Sequence, residues 1–264
     1  MNIAVHIPFH RWEVTRGGKW AARMMDNPGW WADRAVIFRD WTMRSLQAQT
    51  DQDFEVVVSF RDQDYTVNNP AVRVCDKHER EHMLYLLRPY QPWQYHIAPN
   101  QADFFCDTYG GSDEWLAILT MDSDDCYERS VVERIRQIEP REGLCCWFGY
   151  GYLYGIADGK MALFGSAVGP PPFFCKFYPP SALASPEAFN AYRQEWGFNC
   201  YHHETSRRKV NQQLPDNHIL QTIHGANATT TWDDPHTTKH IKEWVTDDAE
   251  KQAILAKFGV ADNG

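Results

Sequence analysis

The spacing of apolar and polar positions divides the first sixty residues into strand, helix and strand. Residues 2–8 (Asn-Ile-Ala-Val-His-Ile-Pro) form a short apolar run closed by Pro8, the pattern of a buried strand. A polar stretch carrying Arg11, Arg16, Lys19 and Arg23 follows as a long loop. From Trp30 to Gln49 the period changes: Trp31, Ala35, Phe38, Thr42 and Leu46 fall on one helical face. Asp51-Gln52-Asp53 ends that pattern, and residues 54–60 (Phe-Glu-Val-Val-Val-Ser-Phe) form a β-branched strand. A strand, a helix and a second strand predict a βαβ unit and a parallel sheet.

Beyond this unit, residues 92–97 and 115–120 predict strands, and 131–138 a helix. Residues 144–155 alternate aromatic and glycine positions, with 160–166 as their hairpin partner; Gly169-Pro170-Pro171-Pro172-Phe173-Phe174 then reads as a rigid loop entering another short strand. Part of 186–209 and the short segment 216–223 are expected to be helical. Asp247 and Glu250 have capping-box spacing and Gly259 is a natural stop, which predicts a helix over 248–258. The expected organisation is one domain over 1–232 and a helical C-terminal extension over 233–264.

Composition narrows the function. The chain has 264 residues, 43% hydrophobic and 23% charged, as in a folded globular protein. It has no apolar run long enough for a membrane span and no basic, apolar leader at its start. Seven cysteines, an odd number with no Cys-x-x-Cys, read as reduced thiols in a cytoplasmic setting, not as a zinc site. The net charge of −9 argues against a general nucleic-acid binder.

The strongest chemical signal is Asp122-Ser123-Asp124-Asp125, directly after the apolar strand at 115–120. In open α/β sheets ligands bind beyond the carboxyl ends of strands. Carboxylates packed together repel one another unless a cation lies between them. Oxygen-only donors suit a hard ion such as Mg²⁺ or Mn²⁺. The same acids also fit a solvated turn that caps the next helix.

Three segments carry a resemblance to a known family: 3–8; Ser45-Leu46-Gln47-Ala48-Gln49-Thr50 followed by Asp53-Phe54-Glu55 and an apolar strand; and Leu116 to Asp125. The chain resembles inverting glycosyltransferases of the GT-A fold, in the family-2-like group and the related rhamnosyltransferase family. The resemblance implies an α/β/α sandwich around a mixed, mainly parallel sheet. It implies that Asp122 touches the donor ribose or a metal-bound water and that Asp124 ligates the metal; Asp125 is an alternative to either. Pro8 would border the donor. The paired aspartates usual after the second strand are replaced by Phe60-Arg61, so Asp62 is the donor-side candidate, and a plain surface turn is the competing reading.

An inverting transfer needs a base for the acceptor hydroxyl. By resemblance this is an acid at a helix start, and Asp216, after Pro215, is the first candidate. Glu187 and Glu204 are its rivals, and simple helix capping competes with each. His224, in a His-Gly-x-Asn stretch similar to one in the rhamnosyltransferases, is a candidate metal or diphosphate ligand; His218, His236 and His240 compete with it. Tyr150, Tyr152, Phe173 and His203 are candidates for the acceptor side. Arg11 and its basic neighbours, and Arg207-Arg208-Lys209, are candidates to cover the diphosphate, since arginine binds phosphate bidentately.

The expected function is therefore metal-dependent transfer of a sugar from a nucleotide-sugar donor to a hydroxyl. The acceptor is a saccharide or a hydroxymethylated nucleobase, with DNA considered only in that acceptor role. A metal-dependent phosphoesterase using the same acids, and a non-catalytic carbohydrate-binding protein, are the alternatives.

Overall fold

A computed structural model describes residues 1–8, 30–59, 95–97, 101–165, 173–198, 211–224 and 231–261. The chain starts with β1 (Asn2–Pro8) and continues into helix α1 (residues 30–47). That helix has three parts: α-helical Trp30–Ile37, a wider π-helical stretch Phe38–Met43, and α-helical Arg44–Gln47. Strand β2 (Glu55–Ser59) follows and lies parallel to β1. The predicted βαβ unit is present, and Ala35, Phe38, Thr42 and Leu46 of the expected face are all buried.

The next elements are β3 (Tyr95–Ile97), α2 (Gln101–Tyr109), β4 (Leu116–Thr120), β5 (Cys126–Tyr127) and α3 (Val131–Arg136). Then come β6 (Cys145–Gly155), β7 (Met161–Gly165), β8 (Phe174–Tyr178), the 3₁₀ turn Pro180–Leu183, α4 (Pro186–Trp196) and β9 (Asn211–Ile223). The chain closes with α5 (Pro235–Thr238), β10 (Ile241–Val245) and α6 (Asp248–Lys257). Helix α2 had no counterpart in the sequence reading.

Among the described residues the strands form one mixed sheet in the order β10-β7-β6-β8-β4-β1-β2-β3. One half, β3-β2-β1-β4, is wholly parallel. In the other half β8 returns antiparallel to β4, and β6 and β7 form the expected hairpin. Strand β9 lies parallel to β6 along its other edge and pairs with β5.

The parallel strands are mainly apolar because helices cover both faces. Ile3, Val5 and Ile7 of β1, Val56 and Val58 of β2, and Ala117 and Leu119 of β4 share one core with α1 and α3. Ala4, Val57, Leu116 and Ile118 point the other way, into a second core with α2 and α4. This is the α/β/α sandwich the resemblance implied. Each strand's alternation sends one set of side chains to each helical layer.

Two expectations are corrected here. Residues 216–223 are not a helix but the second half of β9. Its parallel ladder with β6 skips register twice, pairing Phe148 with Leu214, Tyr150 with Asn217 and Gly151 with Ile219. Pro215 falls in the first of these bulges, where a residue without an N–H does not break the ladder. In the sequence, Pro-Asp before an apolar run is indistinguishable from a helix start.

The C-terminal segment is also not only helical. Strand β10 extends the sheet by pairing antiparallel with β7. Helix α6 has the predicted Asp247 cap, whose carboxylate accepts from the N–H groups of Ala249 and Glu250, each at 3.3 Å. Its Ile254 and Leu255 pack with Cys126, Met161 and Leu220 in a third core. Among the described residues no helix is long and apolar enough to cross a membrane.

Candidate metal and donor site

The parallel arrangement puts the carboxyl ends of β1, β2 and β4 at one edge of the sheet. Strand β4 ends at Thr120, and the chain turns there. The Tyr127 hydroxyl donates to the Thr120 carbonyl at 2.8 Å, and the Asp125 N–H donates to the Asp122 carbonyl at 3.3 Å. The turn brings one carboxylate oxygen from each of Asp122, Asp124 and Asp125 within 4.8 Å of one another. Strand β9 fixes this turn from the side. The Thr222 N–H donates to Asp125 Oδ1 at 3.1 Å, and the Thr222 hydroxyl donates to the Asp124 carbonyl at 2.6 Å.

Asp124 is the most heavily engaged acid. Both of its oxygens face the guanidinium of Arg34 from α1: Nη1 reaches Oδ2, and Nη2 donates to Oδ1 at 2.6 Å. His224, one residue beyond β9, lies 3.1 Å from Oδ2 through Nε2. The Arg34 Nε also donates to the Ser123 hydroxyl at 3.0 Å. These side chains are nearly closed to solvent: 12% exposed for Arg34, 6% for Asp124 and 5% for His224.

The electrostatics follow from this geometry. Burial alone would raise the Asp124 carboxyl, but Arg34 and then His224 hold it below the usual carboxylate range. Asp122 and Asp125 are repelled instead. Burial and the neighbouring Asp124 push Asp122 up to about 7. Burial, Asp124 and Asp122 push Asp125 well above its ordinary value, against the Thr222 N–H.

The residues fit a divalent cation by donor type and by charge. All three acids offer oxygen, the donor a hard ion prefers. Repulsion raises Asp122 and Asp125 while they stand without a cation; ionised together around a divalent ion, the three carboxylates against the Arg34 guanidinium would carry the two negative charges that balance Mg²⁺ or Mn²⁺.

The structure therefore joins Asp122, Asp124 and His224, which come from segments about a hundred residues apart. Pro8 ends β1 at the same edge of the sheet. Arg11, Asp62 and His203 lie outside the described residues, as do the rivals Glu204 and Arg207 to Lys209.

Other candidates fall elsewhere. Asp216 sits in β9, not at a helix start; the contacts to the acid cluster come from Thr222 and His224 further along that strand. The bulges shorten the path: Asn217 and Thr222 pair with Tyr150 and Tyr154 of β6, four residues apart. Glu187 does lie at a helix start, in the first turn of α4, but the cap is Ser185, whose hydroxyl accepts from the Ala188 N–H. That helix follows the Tyr178 end of β8, which pairs with Leu116, the end of β4 remote from the acids. Glu187 is therefore not brought to the cluster, while for Asp216 only its place in β9 is described.

The aromatic platform is also dispersed. Phe173 is fully buried against Tyr127, their ring centroids 5.7 Å apart, and belongs to the core. Tyr152 meets Phe258 edge-on at 6.3 Å, beneath the C-terminal helix. Tyr150 is 43% exposed. Of the competing histidines, His218 is buried with its Nδ1 at 3.3 Å from Glu128.

Sequence reasoning missed Arg34, Ser123 and Thr222 as parts of the site. A signal existed for Arg34. It lies three residues after Trp31 and four before Phe38, on the stripe read as apolar, where an arginine must have a partner.

Comparison with known proteins gives the same direction. Residues 17–145, a little under half of the chain, match a family described as "putative rhamnosyl transferase". No curated protein matches the chain. Among solved structures, S. aureus TarS is 13% identical with a TM-score of 0.38; the alignment covers 98% of this chain and 43% of TarS. A "putative nucleotide-diphospho-sugar transferase" from Desulfovibrio desulfuricans G20 is 10% identical with a TM-score of 0.32, covering 84% of this chain and 82% of that one. The chain thus spans less than half the length of TarS. The match to the rhamnosyl transferase family runs from the segment before α1 through the acid cluster at the end of β4.

Proposed function

We propose that this chain is a metal-dependent glycosyltransferase that moves a sugar from a nucleotide-sugar donor to a saccharide hydroxyl, with inversion at the transferred carbon. One observation carries the reading: Asp122, Asp124 and Asp125 converge at the carboxyl end of β4, in a segment matched to a glycosyltransferase family, with His224 beside Asp124.

Asp122, Asp124 and Asp125 would hold the divalent ion, with His224 as an additional nitrogen donor. When bound, that ion supplies Lewis-acid stabilisation to the diphosphate that leaves as the sugar is transferred. The chain's own residues do the rest of the positioning. Thr222 fixes the acid-bearing turn through two hydrogen bonds. Burial on both sides of the turn keeps water from screening the charges there. The guanidinium of Arg34 and the imidazole of His224 place positive or proton-donating groups where negative charge is densest. The acceptor proton requires a base; Asp216 stays a candidate for it, while Glu187 lies toward the end of the sheet remote from the acids.

The test is product formation from UDP-, GDP-, dTDP- and CMP-sugars with Mn²⁺ or Mg²⁺. Release of the nucleotide that rises with an added saccharide, and is lost on chelation, supports transfer. Equal release with and without any saccharide supports hydrolysis by a phosphoesterase instead.

A further inference from the structure

We infer that Arg34 is a resident counter-ion that competes with the divalent cation for Asp124, so that metal entry requires the guanidinium to leave that carboxylate. The inference rests on the metal-binding reading above and adds a residue that neither the sequence signature nor the acid cluster identifies.

The geometry is specific. Nη1 and Nη2 of Arg34 take the two Asp124 oxygens side by side, the bidentate fork that a planar guanidinium forms with a carboxylate. These two donors fill the side of Asp124 from which both oxygens would be chelated together. His224 Nε2 approaches Oδ2 as well, so that oxygen already has two partners. A cation that chelates Asp124 through both oxygens therefore displaces at least one of the Arg34 contacts.

Charge acts in the same direction as geometry. The Arg34 guanidinium is a positive charge directly on Asp124, and its removal makes the site more attractive to a cation. The side chain also has a second anchor at the rim of the turn. Its Nε donates to the Ser123 hydroxyl at 3.0 Å, which keeps the guanidinium beside the site after it leaves Asp124. In the absence of metal the same pair keeps a buried carboxylate from standing unpaired, which would be costly.

The opposite role for Arg34 is to position Asp124 for the metal. The two roles predict opposite signs. Mn²⁺ binding is measured by electron paramagnetic resonance on the full chain, without nucleotide, for wild type, Arg34→Met, Arg34→Lys and Arg34→Met/Asp124→Asn. Competition predicts that Arg34→Met binds Mn²⁺ about tenfold or more tighter than wild type. Arg34→Lys, which keeps the charge but not the fork, falls between them and serves if the methionine variant does not fold. The double variant loses the gain, which locates the ion at Asp124. Mn²⁺ binding that is unchanged or weaker in both Arg34 variants overturns the competition while leaving the metal site standing. No Mn²⁺ binding by wild type or either variant overturns the competition and the metal-dependent reading together.

Discussion

The hydroxyl of Thr222 donates to the backbone carbonyl of Asp124 at 2.6 Å, joining β9 to the turn after β4 where the acids converge. Both residues are buried, Thr222 at 1% and Asp124 at 5% exposure. Replacing Thr222 by valine keeps the shape and leaves that carbonyl without its hydroxyl donor. The expected loss is about 1–3 kcal/mol, the usual cost of such a deletion. Thr222→Ser retains the bond and should lose less. Urea denaturation of the two variants checks this; equal stability of Thr222→Val and wild type would contradict it.

Gln49 explains why the Ser-Leu-x-x-Gln-Thr segment carries an amide before its threonine. Its side-chain nitrogen donates to the carbonyls of Ser45 at 3.1 Å and Glu128 at 2.9 Å, and its oxygen accepts from the Val132 N–H at 3.1 Å. One buried side chain thus ties α1 to the start of α3. Gln49→Leu should destabilise by about 2–4 kcal/mol, since several buried groups lose partners at once. Chemical denaturation measures it, and a change under about 0.5 kcal/mol would show that the amide is dispensable.

Glu128 sets an acid limit to stability. Burial alone would raise its carboxyl, but hydrogen bonds from His218 and from the Ser130 hydroxyl and N–H hold it at about 2, below its ordinary 4.5. A carboxyl depressed by folding contributes stability that is complete above its unfolded value and lost as pH falls through the folded one. Stability should therefore decline from about pH 4.5 toward pH 2, with Glu128→Gln showing a shallower decline. Thermal unfolding across that window, with identical slopes for both proteins, would refute the assignment.

Gly259 closes α6 with φ +73°, and a Cβ built there would lie 2.2 Å from the Ala48 Cβ. Gly259→Ala meets both a left-handed backbone and a collision with α1's end. A loss of at least about 1 kcal/mol is expected from the backbone conformation alone. Calorimetric unfolding of the variant tests this; an unchanged midpoint would mean that Ala48 and its helix move aside freely.

The parts of the fold legible in the sequence are those set by local periodicity. β1, α1, β2, β4 and the β6–β7 hairpin follow from apolar spacing, and the α6 cap and stop follow from Asp247 and Gly259. The acid turn was legible because carboxylates cluster directly after an apolar strand, and His224 was legible through the family resemblance. What escaped depends on partners far along the chain. β9 looks helical around Pro215 until β6 supplies its bulged ladder. Phe173 looks like an aromatic surface until Tyr127 buries it. Arg34 has no local mark beyond its place on an apolar stripe, because its partner Asp124 is 90 residues away.

The most direct test is a thermal-shift panel of UDP-, GDP-, dTDP- and CMP-sugars, each with and without Mn²⁺, on wild type and Asp124→Asn. A ligand at a hundred times its dissociation constant adds about 2.7 kcal/mol to the native state, enough to resolve. The predicted result is stabilisation of wild type by one nucleotide family only when Mn²⁺ is present, lost in Asp124→Asn. Stabilisation that is the same without metal, or undiminished in Asp124→Asn, would contradict a donor site built on the acids at the end of β4.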